Sequence, residues 1–165
     1  MTRRKAEFSS DDPEAAREKC LRLLAVRARS TAELRERLRR VGFAPNVVGS
    51  VIADLTETGL VDDAEFARSW VASRQAAGGF GKQKLRWELR RKGVAEKLIE
   101  TALEKAVSDE TEEEQALLLA QKRLKGEVEE VRGLARVRRL LIGRGFGFDT
   151  VDRVMRRISS DGEHS

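Results

Sequence analysis

The sequence predicts an all-α protein in which three units of three helices follow one another as a tandem array. Apolar residues recur at helical spacing along most of the chain, only Pro13 and Pro45 interrupt them, and no segment alternates convincingly as a strand would. The second observation is a repeat, because apolar residues at positions 34, 85 and 137 lie 51 and 52 residues apart. The third is a glycine that follows each of them, at positions 42, 93 and 145. Such self-similarity is typical of repeat proteins, so each unit is predicted as two helices, a glycine turn and a third helix.

The three repeats share one internal pattern. The anchors Leu34, Leu85 and Val137 are each followed four positions later by a leucine, and each glycine is followed at once by a large apolar residue. In chain order these are Leu38, Leu89 and Leu141, then Phe43, Val94 and Phe146. The pattern places repeat 1 at residues 12–60, repeat 2 at 61–107 and repeat 3 at 108–159. A disordered N-terminal tail is predicted at 1–11 and a C-terminal tail at 160–165.

Local signals mark the predicted helix ends. Ser30 and Glu33 form a capping box, in which each side chain bonds the backbone N–H of the other residue. Gly42 ends that helix, because glycine tolerates the left-handed conformation common at helix C-termini. Other predicted starts, at capping residues or at a first-turn proline, lie at Asp12, Pro45, Asp62 and Asp149.

Composition narrows the classes of protein to which the chain can belong. The single cysteine, Cys20, excludes an intramolecular disulfide, and no apolar run approaches the roughly 20 residues of a membrane span. We therefore expect a soluble cytoplasmic protein, monomeric and without a cofactor. The net charge of +5 favours an anionic partner, either nucleic acid or an acidic protein surface.

The segment Gly78–Gly93 begins like a phosphate-binding loop but does not meet its requirements. A loop of the NTPase type needs a glycine five positions before its Gly-Lys pair and a Ser or Thr after it. Here those positions hold Ala76 and Gln83. The segment is better explained as a flexible corner between helices, at 78–81, followed by a basic helix. With no catalytic or metal-ligand constellation in the sequence, we expect a binding module and not an enzyme.

Basic residues recur on the predicted middle helix of each unit. Between Lys82 and Lys92 there are six of them and a single acid, Glu88. Like charges one turn apart cost a few tenths of a kcal/mol each, which favours a binding role over simple solvation, the alternative explanation. The candidate partner or DNA contacts are Arg35, Arg39, Arg40, Arg74, Lys82, Lys84, Arg86, Arg90, Arg91, Lys92 and Arg138.

The large and soft apolar residues are expected mainly in the core. Phe66 and Trp70 share one helix face and are predicted to pack inside, as is Cys20 beside Leu23. Trp87 lies off the apolar stripe of its helix, so we expect it to be partly exposed.

The central repeat resembles that of the RecX family, regulators of the bacterial RecA recombinase, and the flanking units extend the likeness over about 12–158. The residues that carry the resemblance are Val61, Asp62, Asp63, Phe66, Ala67, Trp70, Val71, Arg74, Gly81, Lys84, Leu85, Glu88, Leu89, Lys92, Gly93 and Val94. The resemblance implies an elongated, curved array of helix-turn-helix-like units that lies along a RecA filament on single-stranded DNA. It also implies inhibition of ATP hydrolysis, strand exchange and co-protease activity by that filament.

Two other functions stay open at this point. One helix-turn-helix unit could read a defined duplex DNA site through base edges in the major groove. Alternatively, the chain could be a structural adaptor that binds only acidic protein, with no dependence on DNA.

Overall fold

A computed structural model of the chain describes residues 9–124 and 131–162, and all regular structure in these residues is helical. The helices are α1 (Pro13–Val26), α2 (Thr31–Val41), α3 (Pro45–Glu57), α4 (Asp63–Ala77), α5 (Lys82–Arg91), α6 (Glu96–Ala106), α7 (Asp109–Leu124), α8 (Val131–Gly143) and α9 (Phe148–Gly162). The all-α prediction is confirmed. Most of the tail predicted at 1–11, and the end of the tail predicted at 160–165, lie outside the described residues.

The predicted capping signals in the first two units have the expected geometry. The Ser30 side chain accepts from the Glu33 N–H at 3.1 Å, and the Glu33 carboxylate accepts from the Ser30 N–H at 3.1 Å. Asp62 Oδ1 accepts from the first N–H groups of α4 at 2.9 and 3.0 Å. Gly42 adopts a φ of 110° at the end of α2, in the left-handed region that favours glycine.

The predicted start of the last helix was wrong by two residues. α9 begins at Phe148, so Asp149 lies inside its first turn and is not the residue that caps it. Gly147 precedes the helix, and its carbonyl accepts from the Val151 N–H at 2.9 Å. An acidic residue is favourable in either position because the helix dipole is positive at that end, and the sequence signal therefore did not separate the two. α9 also continues to Gly162, beyond residue 159 where repeat 3 was predicted to end.

Each unit has its own hydrophobic core. The repeat anchors Leu34, Leu85 and Val137 are all fully buried, one in each core. The helices that pack most extensively against one another belong to the same unit, for example α1 with α3, α4 with α6 and α7 with α9. Cys20 is fully buried in the first core, as predicted, and Phe66 is buried in the second. The chain is thus a succession of three small cores, as in other repeat proteins.

The first two units meet where the end of α5 reaches the start of α2. Ser30, the N-cap of α2, donates its hydroxyl to the carbonyl of Lys92, the residue after α5. Beside it, Asp63 accepts from the Thr31 N–H at 2.8 Å and from the Thr31 hydroxyl at 2.7 Å. Gly93, at a φ of 74°, lies so close that a Cβ there would be 2.3 Å from the Cβ of Ala32. A glycine is therefore required both by conformation and by space.

The second and third units meet in the same way. The N–H of Gly81, the N-cap of α5, donates to the Arg144 carbonyl at 3.0 Å, and the Gln83 N–H donates to the Gly145 carbonyl at 3.0 Å. Gly145 has a φ of 81°, and a Cβ there would lie 2.4 Å from Lys84. At both junctions, hydrogen-bond donors at the start of the middle helix of one unit bond backbone carbonyls at or just after the end of the middle helix of the next unit. This head-to-tail contact satisfies groups that helix ends leave unpaired and aligns the helix dipoles favourably.

Candidate functional site

One predicted contact residue, Arg74, is part of a partly buried polar cluster that joins α4 to α5. Its guanidinium bonds both carboxylate oxygens of Glu88, at 2.9 and 3.0 Å, and the Trp70 indole N–H donates to the same carboxylate at 2.9 Å. The guanidinium also lies over the rings of Trp70 and Phe80, at 5.1 and 5.0 Å. A buried carboxylate needs such partners, so Arg74 has a structural role within unit 2. Trp70 is partly buried beside the second core.

Two further predicted contacts, Arg86 and Arg90, join α5 to α6. Arg86 makes a bidentate pair with Glu100 at 2.7 and 3.1 Å, and this hydrogen bonding raises the pKa of the Arg86 guanidinium. Arg90 makes a similar pair with Glu96 at 2.8 and 2.6 Å, which lowers the pKa of the Glu96 carboxyl. Bidentate geometry is the strongest form of such pairs, and it turns both guanidiniums toward the protein's own acids.

Four more of the predicted residues form ion pairs within the chain. The pairs are Arg40 with Glu36 at 2.8 Å, Arg138 with Asp152 at 2.7 Å, Lys82 with Asp109 at 2.6 Å and Lys92 with Glu33 at 3.3 Å. Arg40 and Arg138 are exposed, and exposed pairs contribute about 1 kcal/mol or less, so either can exchange its partner for a ligand. The pairs of Lys82 and Lys92 link neighbouring units; both side chains of the Lys92 pair are largely covered, whereas Asp109, the partner of Lys82, is exposed.

Glu33 connects the ion pairs at the junction of units 1 and 2. Burial alone would raise the pKa of its carboxyl, but hydrogen bonds from Arg27 and from the Ser30 N–H, with the charge of Lys92, outweigh burial and lower it. The ionised carboxylate is therefore the form that the folded junction favours.

The remaining predicted residues make no ion pair with any residue in 9–124 or 133–160. They are Arg35, Arg39, Lys84 and Arg91. Lys84 Nζ lies 4.5 Å from the centre of the Trp87 ring, and the Arg91 guanidinium lies 4.8 Å from it. Trp87 is 48% exposed, as its position off the apolar stripe predicted. We call Lys84, Trp87 and Arg91 the Trp87 patch.

A second group of basic residues was missed by the sequence reasoning. An open cleft of about 580 Å³ lies between α7 and α8. We call it the α7–α8 cleft, and it is lined by Leu119, Lys122, Arg123, Arg136, Arg139, Leu140 and Arg144. The signal was present in the helical spacing, since positions 119, 122 and 123 share a face of α7 and positions 136, 139 and 140 share a face of α8. The repeat alignment drew attention to Arg138, which points to Asp152 instead.

The described residues contain no cluster of three His, Cys, Asp or Glu side chains that could hold a metal ion. Within the same part of the chain, no helix combines the length and the apolarity needed to cross a bilayer.

Comparison with known proteins follows the division into units. Residues 16–55 match the model of the first three-helix domain of RecX, and residues 62–103 match that of the second. A Regulatory protein RecX from Amycolatopsis mediterranei (strain U-32) is 43% identical over 133 residues, which are 79% of this chain and 75% of the relative. The chain belongs to the RecX family. The matched ranges place the Trp87 patch in the second RecX domain and leave the α7–α8 cleft outside both ranges.

Other RecX relatives extend the comparison to different extents. The Regulatory protein RecX of Mycobacterium leprae (strain Br4923) is 38% identical over 149 residues, which are 88% of this chain and 86% of that protein. The one from Mycolicibacterium smegmatis (strain ATCC 700084 / mc(2)155) is 49% identical over 90 residues, 54% of this chain. In that match the chain spans about half of the relative's length, 48%.

A solved RecX structure has the same fold. The crystal structure of RecX from Lactobacillus salivarius superposes with a TM-score of 0.82, at 22% identity, over 92% of this chain and 99% of the other. A likeness at this identity concerns the fold, and it extends to the third unit, which the family models do not reach.

Proposed function

We propose that this chain is a non-enzymatic regulator that binds RecA filaments on single-stranded DNA and inhibits their recombinase, ATPase and co-protease activities. Its relatives are named regulatory proteins, which agrees with a binding role. In this proposal the chain acts as a monomer in the cytoplasm, in the modulation of DNA repair and the SOS response.

The Trp87 patch is the observation that carries the proposal. An exposed tryptophan with the cations of a lysine and an arginine over its ring combines the two features that bind single-stranded nucleic acids, because bases stack on aromatic rings and phosphates attract cations. The patch lies on α5, next to both junctions between units. A DNA strand or a filament groove that contacts the patch therefore also runs past the neighbouring units.

Several weak contacts can produce strong binding along a polymer. Arg35 and Arg39 on α2 are exposed cations of unit 1, and Lys84 and Arg91 on α5 are cations of unit 2. None of these four residues has an acidic partner among the described residues. Once one unit is bound, the next unit meets the filament at high effective concentration. This arrangement suits a ligand with repeated negative charge better than a single small molecule.

The experiment compares two variants that lose the same charge. Lys84→Gln with Arg91→Gln removes the cations of the Trp87 patch, whereas Lys97→Gln with Lys105→Gln removes two exposed cations from α6 of the same unit. Neither pair includes Arg86 or Arg90, whose loss would also remove ion pairs between α5 and α6. The readout is DNA-dependent ATP hydrolysis by RecA at increasing concentrations of each variant.

We expect the patch variant to need about fivefold or more protein for half-inhibition, which corresponds to about 1 kcal/mol of lost contact. The α6 variant should inhibit like the unmodified chain. Equal weakening of both variants would remove the Trp87 patch from the mechanism, and an unmodified chain without inhibition would reject the proposal. A marked preference for one duplex sequence would favour the duplex-reading alternative instead.

A further inference from the structure

The α7–α8 cleft brings together several cations that have no acidic partner among the residues that the structure describes. Lys122, Arg123 and Arg139 make no ion pair with any residue in 9–124 or 133–160, and Arg144 contacts the Phe80 ring at 5.4 Å. None of the described residues that line the cleft is acidic. This differs from α5, where Arg86 and Arg90 are both held by acids of α6. Uncompensated like charges on two facing helices repel one another, and an anionic ligand would relieve that repulsion.

A smaller apolar recess adjoins the cleft. It has a volume of about 250 Å³ and lies between α7 and the Gly78–Gly79 corner, and Leu119, Lys122 and Arg144 line both cavities. Leu118 also lines the recess and is 59% exposed. The cleft carries most of the cations, and the recess adds the exposed apolar surface of Leu118.

The lining chemistry distinguishes between two classes of anionic partner. Single-stranded nucleic acid binds where aromatic rings accompany the cations, and none of the described residues that line the cleft or the recess is aromatic. An acidic peptide uses arginine forks for its carboxylates and places an apolar side chain against leucines. Leu119 and Leu140 in the cleft, and Leu118 in the recess, supply that apolar surface.

We infer that the α7–α8 cleft binds an acidic peptide segment of a partner protein, with an apolar side chain of that segment seated in the recess at the Gly78–Gly79 corner. The carboxylates pair with Lys122, Arg123, Arg139 and Arg144, while Leu118 and Leu119 contact the apolar side chain. The inference goes beyond the filament proposal and concerns a different unit from the Trp87 patch.

The test uses the full chain and three fluorescent probes. The first is a short peptide of Asp and Glu with one central Leu, the second is the same peptide with Ser in place of Leu, and the third is an oligothymidylate. The cleft variant is Lys122→Gln with Arg139→Gln, and the matched control is Arg156→Gln with Arg157→Gln, two exposed cations of α9. Fluorescence anisotropy gives the Kd of each probe, and circular dichroism confirms that each variant keeps its helix content.

The inference predicts that the cleft variant binds the Leu peptide about tenfold more weakly than the control variant does, since two charged contacts are lost. The Ser peptide should bind the unmodified chain several-fold more weakly than the Leu peptide. Equal loss in the cleft and control variants would overturn the inference. It would also be overturned if the cleft variant lost more affinity for oligothymidylate than for the peptide, because the cleft would then serve nucleic acid. No probe contains recombinase, so this result is independent of the filament proposal.

Discussion

Replacing Gly93 by alanine tests the head-to-tail junction between units 1 and 2. Gly93 has a φ of 74°, and Gly59 has a φ of 75° with open space where a Cβ would be, so Gly59→Ala is a control with the same backbone strain. That strain costs about 1–2 kcal/mol for a residue with a Cβ. At Gly93 the new Cβ would also be 2.3 Å from the Cβ of Ala32, well inside the usual carbon–carbon separation of about 3.5–4.0 Å.

The overlap adds the cost of forcing the junction apart. Overpacking of this kind costs about 1–3 kcal/mol, so Gly93→Ala should lower the free energy of unfolding by about 2–5 kcal/mol, against about 1–2 kcal/mol for Gly59→Ala. Urea unfolding followed by circular dichroism measures both values.

A second substitution tests whether the contact with Ala32 causes the additional destabilisation expected for Gly93→Ala. Ala32→Gly removes the Cβ that would be overlapped and leaves the Ala32 Cα at an ordinary 3.8 Å from the new methyl. In that background, Gly93→Ala should cost no more than Gly59→Ala does. If Gly93→Ala and Gly59→Ala were equally destabilising in the unmodified chain, or if Ala32→Gly gave no relief, the junction described here would be refuted.

Three further predictions concern the core, the pH dependence and the thiol. Leu38→Asp places a carboxylate in the first core, where Leu38 is fully buried, and should lower the free energy of unfolding by about 3–5 kcal/mol or unfold unit 1. An unchanged melting temperature would contradict the core position of Leu38. The folded-state pKa of Glu33 is lowered from 4.5, so its stabilisation is present above that pH and is lost as pH falls through the lowered pKa. The free energy of unfolding of Glu33→Gln should accordingly fall less steeply with acid than that of the unmodified chain, and identical pH profiles would reject the role of Glu33. Burial raises the pKa of the Cys20 thiol to about 11, so a thiol reagent should label Cys20 only as the chain unfolds in urea, and rapid labelling without urea would show an open first core.

The sequence was most informative where structure depends on near neighbours. The capping box of Ser30 and Glu33, the glycine end at Gly42 and the burial of Leu34 and Leu85 follow from spacing alone, and all are found in the structure. Such signals involve residues within about one or two helical turns of one another, so a single sequence is enough to predict them.

The roles of the arginines depended on contacts that spacing does not determine. Arg86 and Glu100, like Arg74 and Glu88, are 14 residues apart and lie on different helices. Their pairing depends on how α4, α5 and α6 cross, and a repeated basic pattern does not contain that information. For the same reason, the sequence did not distinguish between two groups of arginines. Some form ion pairs that stabilise a unit, whereas others, such as Arg35, have no acidic partner among the described residues.

The α7–α8 cleft was missed for a related reason. Its cations come from two helices separated by residues 125–130, which lie outside the described part of the chain, and only the packing of α7 on α8 brings Lys122 and Arg139 to one cleft. Arg138, which the repeat alignment favoured, faces Asp152 on α9. Alignment of repeats identifies equivalent positions, but it does not show which side of a helix its neighbours leave open.

Direct binding to a filament tests the central claim. The labelled chain is titrated with RecA-coated single strands, with the same bare strands, and with duplexes of unrelated sequence, and the Kd of each is measured. The account predicts that coated strands bind about tenfold or more tightly than either form of bare DNA, because several units engage the polymer at once, and that no duplex sequence is preferred. Equal affinity for coated and bare strands, or tightest binding to one particular duplex, would contradict it.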